Sequence, residues 1–157
     1  HTGGTNAMTV ASDGGVTFSR PPVFDTGTWT LALFDASSGG NSASGTTSVG
    51  TYSRIGNVVI ASFYILNQNT TGLTSGNVAH FSLPYPAAPN APATAIAHCN
   101  TLGASGAAHP ALVVSPDGAR AYLVENVDND NRYYYTVGNI GDDTFDMMAT
   151  LTYITDA

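Results

Sequence analysis

The chain has 157 residues and a formal net charge of −7, with four basic residues against eleven acidic ones. Binding to phosphates or to anionic lipid surfaces needs clustered cations, so the composition argues against nucleic-acid binding and against membrane association. Cys99 is the single cysteine and cannot form an internal disulfide. Neutral glycans and other proteins remain as partners.

Residues 1–26 predict a short β-structured lead-in, and residues 27–157 predict the main domain. In the lead-in, strand candidates at 7–10 and 16–18 flank Asp13-Gly14-Gly15, which is a turn signal. Pro21-Pro22 then stops strand pairing because proline has no N–H to donate.

The main domain begins with a predicted strand over 28–34, in which alternation places Trp29, Leu31 and Leu33 on the core side. Residues 35–46 are rich in Ser, Gly and Asn and predict an exposed loop. Residues 67–77 predict a second loop of the same kind.

A hairpin over 47–66 is the strongest local signal, because two β-branched and aromatic runs flank Gly56-Asn57. Val59, Ala61, Phe63 and Ile65 would share one face of its second strand. Since the opposite face is also largely apolar, we expect this strand to lie centrally, covered on both sides.

Further strands are predicted over 78–83, 94–99, 111–114, 119–125, 132–137 and 144–153, with a second hairpin turn at Pro116-Asp117-Gly118. No segment shows sustained helical periodicity. Nine or ten short strands separated by turns predict an all-β fold, an antiparallel β-sandwich of jelly-roll type.

Three stretches carry a resemblance: Gly27-Thr28-Trp29-Thr30, the hairpin segment Gly50 to Val59, and Phe81-Ser82-Leu83-Pro84-Tyr85. Together they resemble a recurrent C-terminal domain of bacteriophage tail fibres and tailspikes, and the likeness covers about residues 27–86. The resemblance implies a virion protein, the terminal domain of a tail fibre, tailspike or head spike. It also implies a homotrimer that contacts other virion proteins and a host cell-surface polysaccharide, with the lead-in packed between subunits.

Catalysis is not expected. The Gly-x-Ser-x-Gly motif is absent, and Glu125 is the only glutamate, whereas glycoside hydrolysis needs two carboxyl groups. Calcium ligands are available at 128–131 and at Asp142-Asp143. An EF-hand register from Asp128, however, would need glycine where Tyr133 stands and glutamate where Asn139 stands. We therefore interpret these residues as solvated turns and expect no metal and no cofactor.

The candidate residues for ligand binding are Tyr133, Tyr134 and Tyr135, which follow the acidic segment containing Asp128 and Asp130. An aromatic ring beside carboxylates offers a sugar both a stacking surface and hydrogen-bond acceptors. Strand alternation prevents all three rings from entering one core. We take these five residues as candidate glycan contacts, while cross-strand packing and trimer contacts are the structural alternative.

Three other functions fit the same sequence. A non-catalytic carbohydrate-binding module of a bacterial enzyme would be a monomer that binds polysaccharide. A ligand-free capsid-decoration or trimerisation domain would form trimers that bind no glycan. An enzyme would turn over a polysaccharide and lose that activity when Glu125 or a loop aspartate is changed.

Overall fold

The computed structural model describes residues 8–18, 24–35, 42–43, 47–102, 110–115, 118–126 and 132–156. Its thirteen strands are, in chain order, β1 (Met8–Val10), β2 (Val16–Phe18), β3 (Phe24–Thr30), β4 (Leu33–Asp35), β5 (Ser42–Ala43), β6 (Thr47–Ile55), β7 (Val58–Gln68), β8 (Ala79–Ser82), β9 (Ala93–Asn100), β10 (Pro110–Val114), β11 (Arg120–Asn126), β12 (Arg132–Tyr134) and β13 (Phe145–Ile154). A 3₁₀ turn spans Val137–Asn139. In these ranges there is no helix with the length and apolar character to cross a bilayer.

Eleven of the strands form one antiparallel sheet in the order β3-β6-β7-β13-β9-β10-β11-β8-β4-β5, with β12 also paired to β11. The sheet curls into a half-barrel, which confirms the predicted all-β, sandwich-like architecture. β1 and β2 pair with each other in a separate two-stranded sheet, as the lead-in turn signal predicts.

The sheet changes layer along β9. Residues 97–100 of this strand pair with β13, and residues 93–96 pair with β10. We call β3, β6, β7, β13 and the end of β9 the first layer. The second layer consists of the start of β9 together with β10, β11, β12, β8, β4 and β5.

The predicted strand over 28–34 is wrong as a single element, because the chain crosses between the layers at Leu31-Ala32. The Leu31 N–H donates to Ser48 O in the first layer at 3.1 Å. Ala32 N–H donates to Ser82 Oγ in the second layer at 3.0 Å. Trp29 therefore stays in β3, while Leu31 and Leu33 reach the core on either side of the crossing.

The hairpin of β6 and β7 is confirmed, with Ile55 opposite Val58 and Gly56 in the left-handed region at φ +59°. Alternation along β7 is also as predicted, because Val59, Ala61 and Ile65 are fully buried. The expected cover on both faces is wrong. The opposite face of β7 is open, and its Ile60 is 41% exposed.

The core lies between the two layers and is built from apolar side chains of both. Its largest fully buried members are Tyr135, Phe81, Phe145, Leu31, Leu33, Ile65, Leu112, Leu123, Met147, Leu151 and Val59. Each of these side chains points inward from its strand or belongs to a segment that covers an end of the sandwich.

Three predicted boundaries are corrected. β3 begins at Phe24, four residues before the predicted strand start at residue 28. Asp35, expected in an exposed loop, ends β4 and is fully buried, where it accepts the Thr74 N–H at 2.9 Å. Gln68, also expected in a loop, ends β7 and is 1% exposed. The other residues of the predicted 35–46 loop, apart from β5, lie outside the described ranges.

A connector over 84–92 closes one end of the sandwich, and it is bonded to β13 by the Tyr153 side chain and by the Ala88 N–H, which donates to Ile154 O at 2.8 Å. The Tyr153 hydroxyl donates to the Tyr85 carbonyl at 3.0 Å and accepts the Tyr85 N–H at 3.2 Å. Burial raises the pKa of Tyr153 to about 12, so this hydroxyl stays protonated.

Candidate functional site

The three predicted tyrosines lie in different environments. Tyr133 is 42% exposed and Tyr134 is 41% exposed, whereas Tyr135 is 1% exposed. β12 ends at Tyr134, so Tyr135 already belongs to the turn that leads into the 3₁₀ segment rather than to the predicted 132–137 strand. Two of the three rings are therefore accessible to a ligand.

Tyr135 is a core residue, because its hydroxyl donates to Glu125 Oε2 at 2.9 Å in the interior. Burial, and then this hydrogen bond, raise the pKa of Tyr135 above its ordinary value. Glu125 is itself 4% exposed, and its Oε1 has no hydrogen-bond partner among the described residues. Neither Tyr135 nor Glu125 presents its functional group to a ligand at the surface.

Tyr133 and Tyr134 point to opposite faces of β12, as successive strand residues do. Tyr133 packs edge-to-face against Tyr135 with 5.5 Å between ring centroids, and its hydroxyl donates to Asn139 Oδ1 at 3.3 Å. Tyr134 packs edge-to-face against Tyr122 at 5.7 Å on the outer side of the second layer. One sugar ring cannot stack on both, so the predicted site is divided into two surfaces.

The acidic candidates Asp128 and Asp130 lie outside the described residues. The other predicted oxygen ligands, Asp142 and Asp143, bind the end of the β7 strand. Asp142 Oδ1 accepts the Thr70 N–H at 2.7 Å, and this bond lowers the pKa of Asp142. Asp143 Oδ1 accepts Asn69 Nδ2 at 2.8 Å. These contacts agree with the interpretation of Asp142 and Asp143 as turn residues.

No group of three or more His, Cys, Asp or Glu side chains within the described ranges is arranged to hold a metal ion.

The outer side of the second layer carries an aromatic row that continues from Tyr134 and Tyr122 to His80. The His80 and Tyr122 rings meet edge-to-face at 4.2 Å. His80 is 4% exposed, and among the described residues neither ring nitrogen has a hydrogen-bond partner. Burial lowers the pKa of His80 to about 4, with Arg120 adding to the shift and Asp35 opposing it. In the described part of the chain, the His80 ring is therefore held by packing rather than by hydrogen bonds.

A second polar cluster lies on the inner side of the first layer and was not predicted. The Tyr85 hydroxyl donates to Asp25 Oδ2, and the Tyr52 hydroxyl donates to the same oxygen at 3.4 Å. The Arg54 guanidinium lies 5.0 Å from the centroid of the Tyr85 ring. The bond to Asp25 raises the pKa of Tyr85 to about 12. This cluster joins β3, β6 and the connector.

The cluster brings together the stretches that carry the resemblance. Tyr52 stands over Gly27, where an added Cβ would lie 2.8 Å from the hydroxyl, and Trp29 covers Gly50 so closely that a Cβ would overlap its ring. The register pairs Gly27 with Tyr52 and Trp29 with Gly50. The signal was present in the sequence as Gly-x-aromatic spacing in both strands, but the pairing of the two was needed to interpret it.

The outer side of the first layer is an open surface made of four side chains from each of four strands. We call it the uncharged face. It consists, row by row across β3, β6, β7 and β13, of Phe24, Ile55, Val58 and Ile154; Thr26, Ser53, Ile60 and Thr152; Thr28, Thr51, Ser62 and Thr150; and Thr30, Val49, Tyr64 and Met148. All but Ser62 are classed as exposed. None of the sixteen is charged.

A shallow groove of about 370 Å³ opens in this face, bordered by Val49, Tyr64 and Met148. Hydroxyl groups line its polar side, where Ser62 Oγ and Thr150 Oγ1 share a hydrogen bond of 2.9 Å.

Comparison of the chain with protein-family models, with curated proteins and with solved structures found no match in any of the three.

Proposed function

We propose that this chain is the terminal domain of a phage-like virion protein, a tail fibre, tailspike or head spike, which assembles as a homotrimer and binds a host cell-surface glycan. In this proposal the protein resides in the virion and is held there by other virion proteins. It binds glycan without hydrolysing it.

The observation that carries the proposal is the contiguity of the motif residues. Gly27 and Trp29 of β3 interlock with Gly50 and Tyr52 of β6, and Tyr85 of the connector packs edge-to-face on Tyr52 at 5.3 Å. Stretches that are far apart in sequence thus form one packed unit. A likeness to tail-fibre domains over all three stretches is therefore a likeness of one structural element, and it supports common architecture more strongly than three unrelated short matches would.

The glycan part of the proposal depends on Tyr133 and Tyr134, whose rings are about two-fifths exposed. Stacking on an aromatic face and hydrogen bonding to neighbouring amides are the contacts that neutral sugars offer, and neither needs charge. Single contacts of this kind are weak. Several linked copies would raise avidity through effective concentration.

Binding of the purified domain to an array of bacterial surface polysaccharides tests this assignment. Of Tyr133→Ala and Tyr134→Ala, the variant that removes the ring carrying the stacking contact is expected to weaken binding about five- to thirtyfold, because loss of an aromatic contact costs about 1–2 kcal/mol. Thr71→Ala, an exposed change on the loop after β7, is the matched control. Unchanged binding in both tyrosine variants would remove the candidate surface.

The ligand-free assembly domain is the second candidate, and it is favoured by the hydroxyl of Tyr133, which already has a partner in Asn139. Light scattering separates it from a monomeric carbohydrate-binding module. A trimer of this 16.1 kDa chain has a mass of about 48 kDa, three times that of one copy. A trimer that binds no glycan on the array would favour the assembly domain, and a glycan-binding monomer would favour the module.

A further inference from the structure

Exposed apolar side chains are concentrated on the uncharged face. Phe24, Val49, Ile55 and Met148 are each at least half exposed, at 68%, 54%, 53% and 50%. These side chains lie in the two end rows of the face, and covering them is favourable because the burial of apolar area contributes roughly 25 cal/mol per Å². The face is therefore a surface that gains free energy when another molecule covers it.

The charge distribution allows that molecule to be another copy of the chain. The chain carries a formal net charge of −7, so copies of it repel one another wherever their carboxylates approach. None of the sixteen side chains of the face is charged, and the nearest carboxylates on this part of the chain lie beyond its two ends, where Asp156 follows Ile154 and Asp146 lies one outward position beyond Met148 on β13. There Asp146 accepts the Asn67 N–H at 2.9 Å. Two copies can meet through this face without bringing carboxylates together.

The size of the face is that of a small interface. With strands about 4.8 Å apart and a rise of about 3.4 Å per residue, four strands of seven residues cover roughly 450 Å² in projection, and the side chains that stand out from the sheet add accessible area to this. A standard interface uses about 20–30 residues from each partner, so the sixteen side chains of the face suffice for a small contact between copies. The groove beside Tyr64 adds a recess into which an apolar side chain of a neighbouring copy can pack.

We infer that the uncharged face of β3, β6, β7 and β13 is the surface through which copies of this chain assemble. The inference deepens the proposed function and rests on it for self-association. It adds the location of the contact, which the sequence resemblance does not give. The end rows supply the apolar contacts, and the central Thr and Ser hydroxyls hydrogen-bond across the interface.

Ile60→Glu tests the location, because Ile60 lies inside the face, is 41% exposed and has no role in the core. A carboxylate brought into the contact from each copy would be desolvated beside like charges, which is expected to weaken assembly at least a hundredfold. Ile96→Glu is the matched control, since Ile96 is also an exposed isoleucine, at 85%, but lies outside the face on the part of β9 that pairs with β10. The measurement is mass by light scattering over a dilution series, with circular dichroism to verify folding.

Thiol protection gives a second measurement that needs no destabilising change. Thr152→Cys places a thiol inside the face, and Thr71→Cys places one on an exposed loop outside it. Burial raises the pKa of native Cys99 to about 12, so it contributes little labelling by maleimide at neutral pH. In the assembled protein the Thr152→Cys thiol should react at least tenfold more slowly than the Thr71→Cys thiol, and the difference should vanish on dilution to single copies.

The outcomes separate this inference from the proposed function. A wild-type trimer that Ile60→Glu leaves intact, with equal labelling of the two thiols, overturns the inference alone and leaves the proposed trimer standing on another face. A wild-type protein that stays a single copy at high concentration overturns both. A single-copy protein in which a polysaccharide from the array protects the Thr152→Cys thiol also overturns the inference, since the occupant is then a glycan.

Discussion

At the scale of single residues, the first layer is fastened by two aromatic rings that lie over two glycines. Gly27 and Gly50 each face an aromatic partner across the β3–β6 ladder, Tyr52 and Trp29 respectively. Glycine is required at both positions because an added Cβ would collide with the aromatic ring. The requirement is not conformational, since the backbone of Gly27 and Gly50 is not in the left-handed region. Gly56 is different, because its φ of +59° is what the turn after β6 demands.

Gly50→Ala is expected to lower the free energy of unfolding by about 1–3 kcal/mol, because the added Cβ would displace the Trp29 ring from its contact with Phe63. Gly76→Ala is the control, since no atom lies within 4 Å of its added Cβ. Urea denaturation of both variants measures the difference. Equal stability of the two would contradict the packing described for Trp29.

His80 predicts a pH dependence of stability. Its pKa falls from the ordinary 6.5 to about 4 on folding, so between these values the unfolded chain binds a proton that the folded chain does not. The free energy of unfolding contributed by neutral His80 is complete above about pH 6.5 and is lost as the pH falls towards 4, by up to about 3 kcal/mol.

Urea denaturation from pH 4 to 7 checks this for the wild type and for His80→Phe, which keeps a ring against Tyr122 but cannot titrate. The loss of stability on acidification should be smaller in the variant. If the free energy of unfolding varies with pH in the same way for both proteins, His80 is not the source of the pH dependence.

The candidate site illustrates what residue patterns can and cannot predict. Alternation required that the tyrosine rings separate, and they do. It could not identify Tyr135 as the buried one, because its burial depends on Glu125 of β11 and on the end of β12, both set by tertiary contacts. The uncharged face was equally hidden, since it combines residues from both ends of the chain.

At the scale of elements, the hairpins could be predicted from local sequence, whereas the pairing of strands that are distant in the sequence could not. The β6–β7 and β10–β11 hairpins were predicted because a turn and its two strands lie together in the sequence. The change of layer along β9 and the break between β3 and β4 were missed. Both depend on which strands lie alongside, and the local alternation of apolar residues continues through each of them.

The connector predicts a test at this scale. Tyr153→Phe removes both hydrogen bonds to the Tyr85 main chain and leaves the Tyr85 carbonyl without this donor. We expect a loss of about 1–3 kcal/mol in the free energy of unfolding and faster limited proteolysis within 86–92. Tyr134→Phe, which removes an exposed hydroxyl, is the control. Proteolysis of Tyr153→Phe at the wild-type rate would contradict the anchoring role.

At the scale of the whole molecule, β13 is an interior strand of the first layer. It pairs with β7 on one side and with β9 on the other. The first layer is therefore completed only when β13 joins strands that lie about 45 to 90 residues before it in the sequence. Pairing over such separations makes folding slow relative to proteins with local contacts.

Hydrogen exchange of the dilute protein should follow this arrangement. Amides of β7 and β13, each bonded between two neighbours, are expected to exchange slowest, at rates set by global unfolding. Amides of β1 and β2, which pair only with each other in the described part of the chain, are expected to exchange fastest. Peptide-resolved mass spectrometry measures both, and slow exchange in β1 and β2 at high dilution would contradict their separation from the main sheet.

Trp29 is the only tryptophan, and it belongs to the edge strand rather than to the middle of the sheet. The intrinsic fluorescence of the molecule, excited selectively at the indole, therefore monitors how firmly the outermost strand is seated. Far-ultraviolet ellipticity monitors the sheet as an average. If the fluorescence changes at a lower denaturant concentration than the ellipticity, β3 detaches before the rest of the sheet unfolds. Coincident curves would mean that the edge and the centre of the sheet unfold as one cooperative unit.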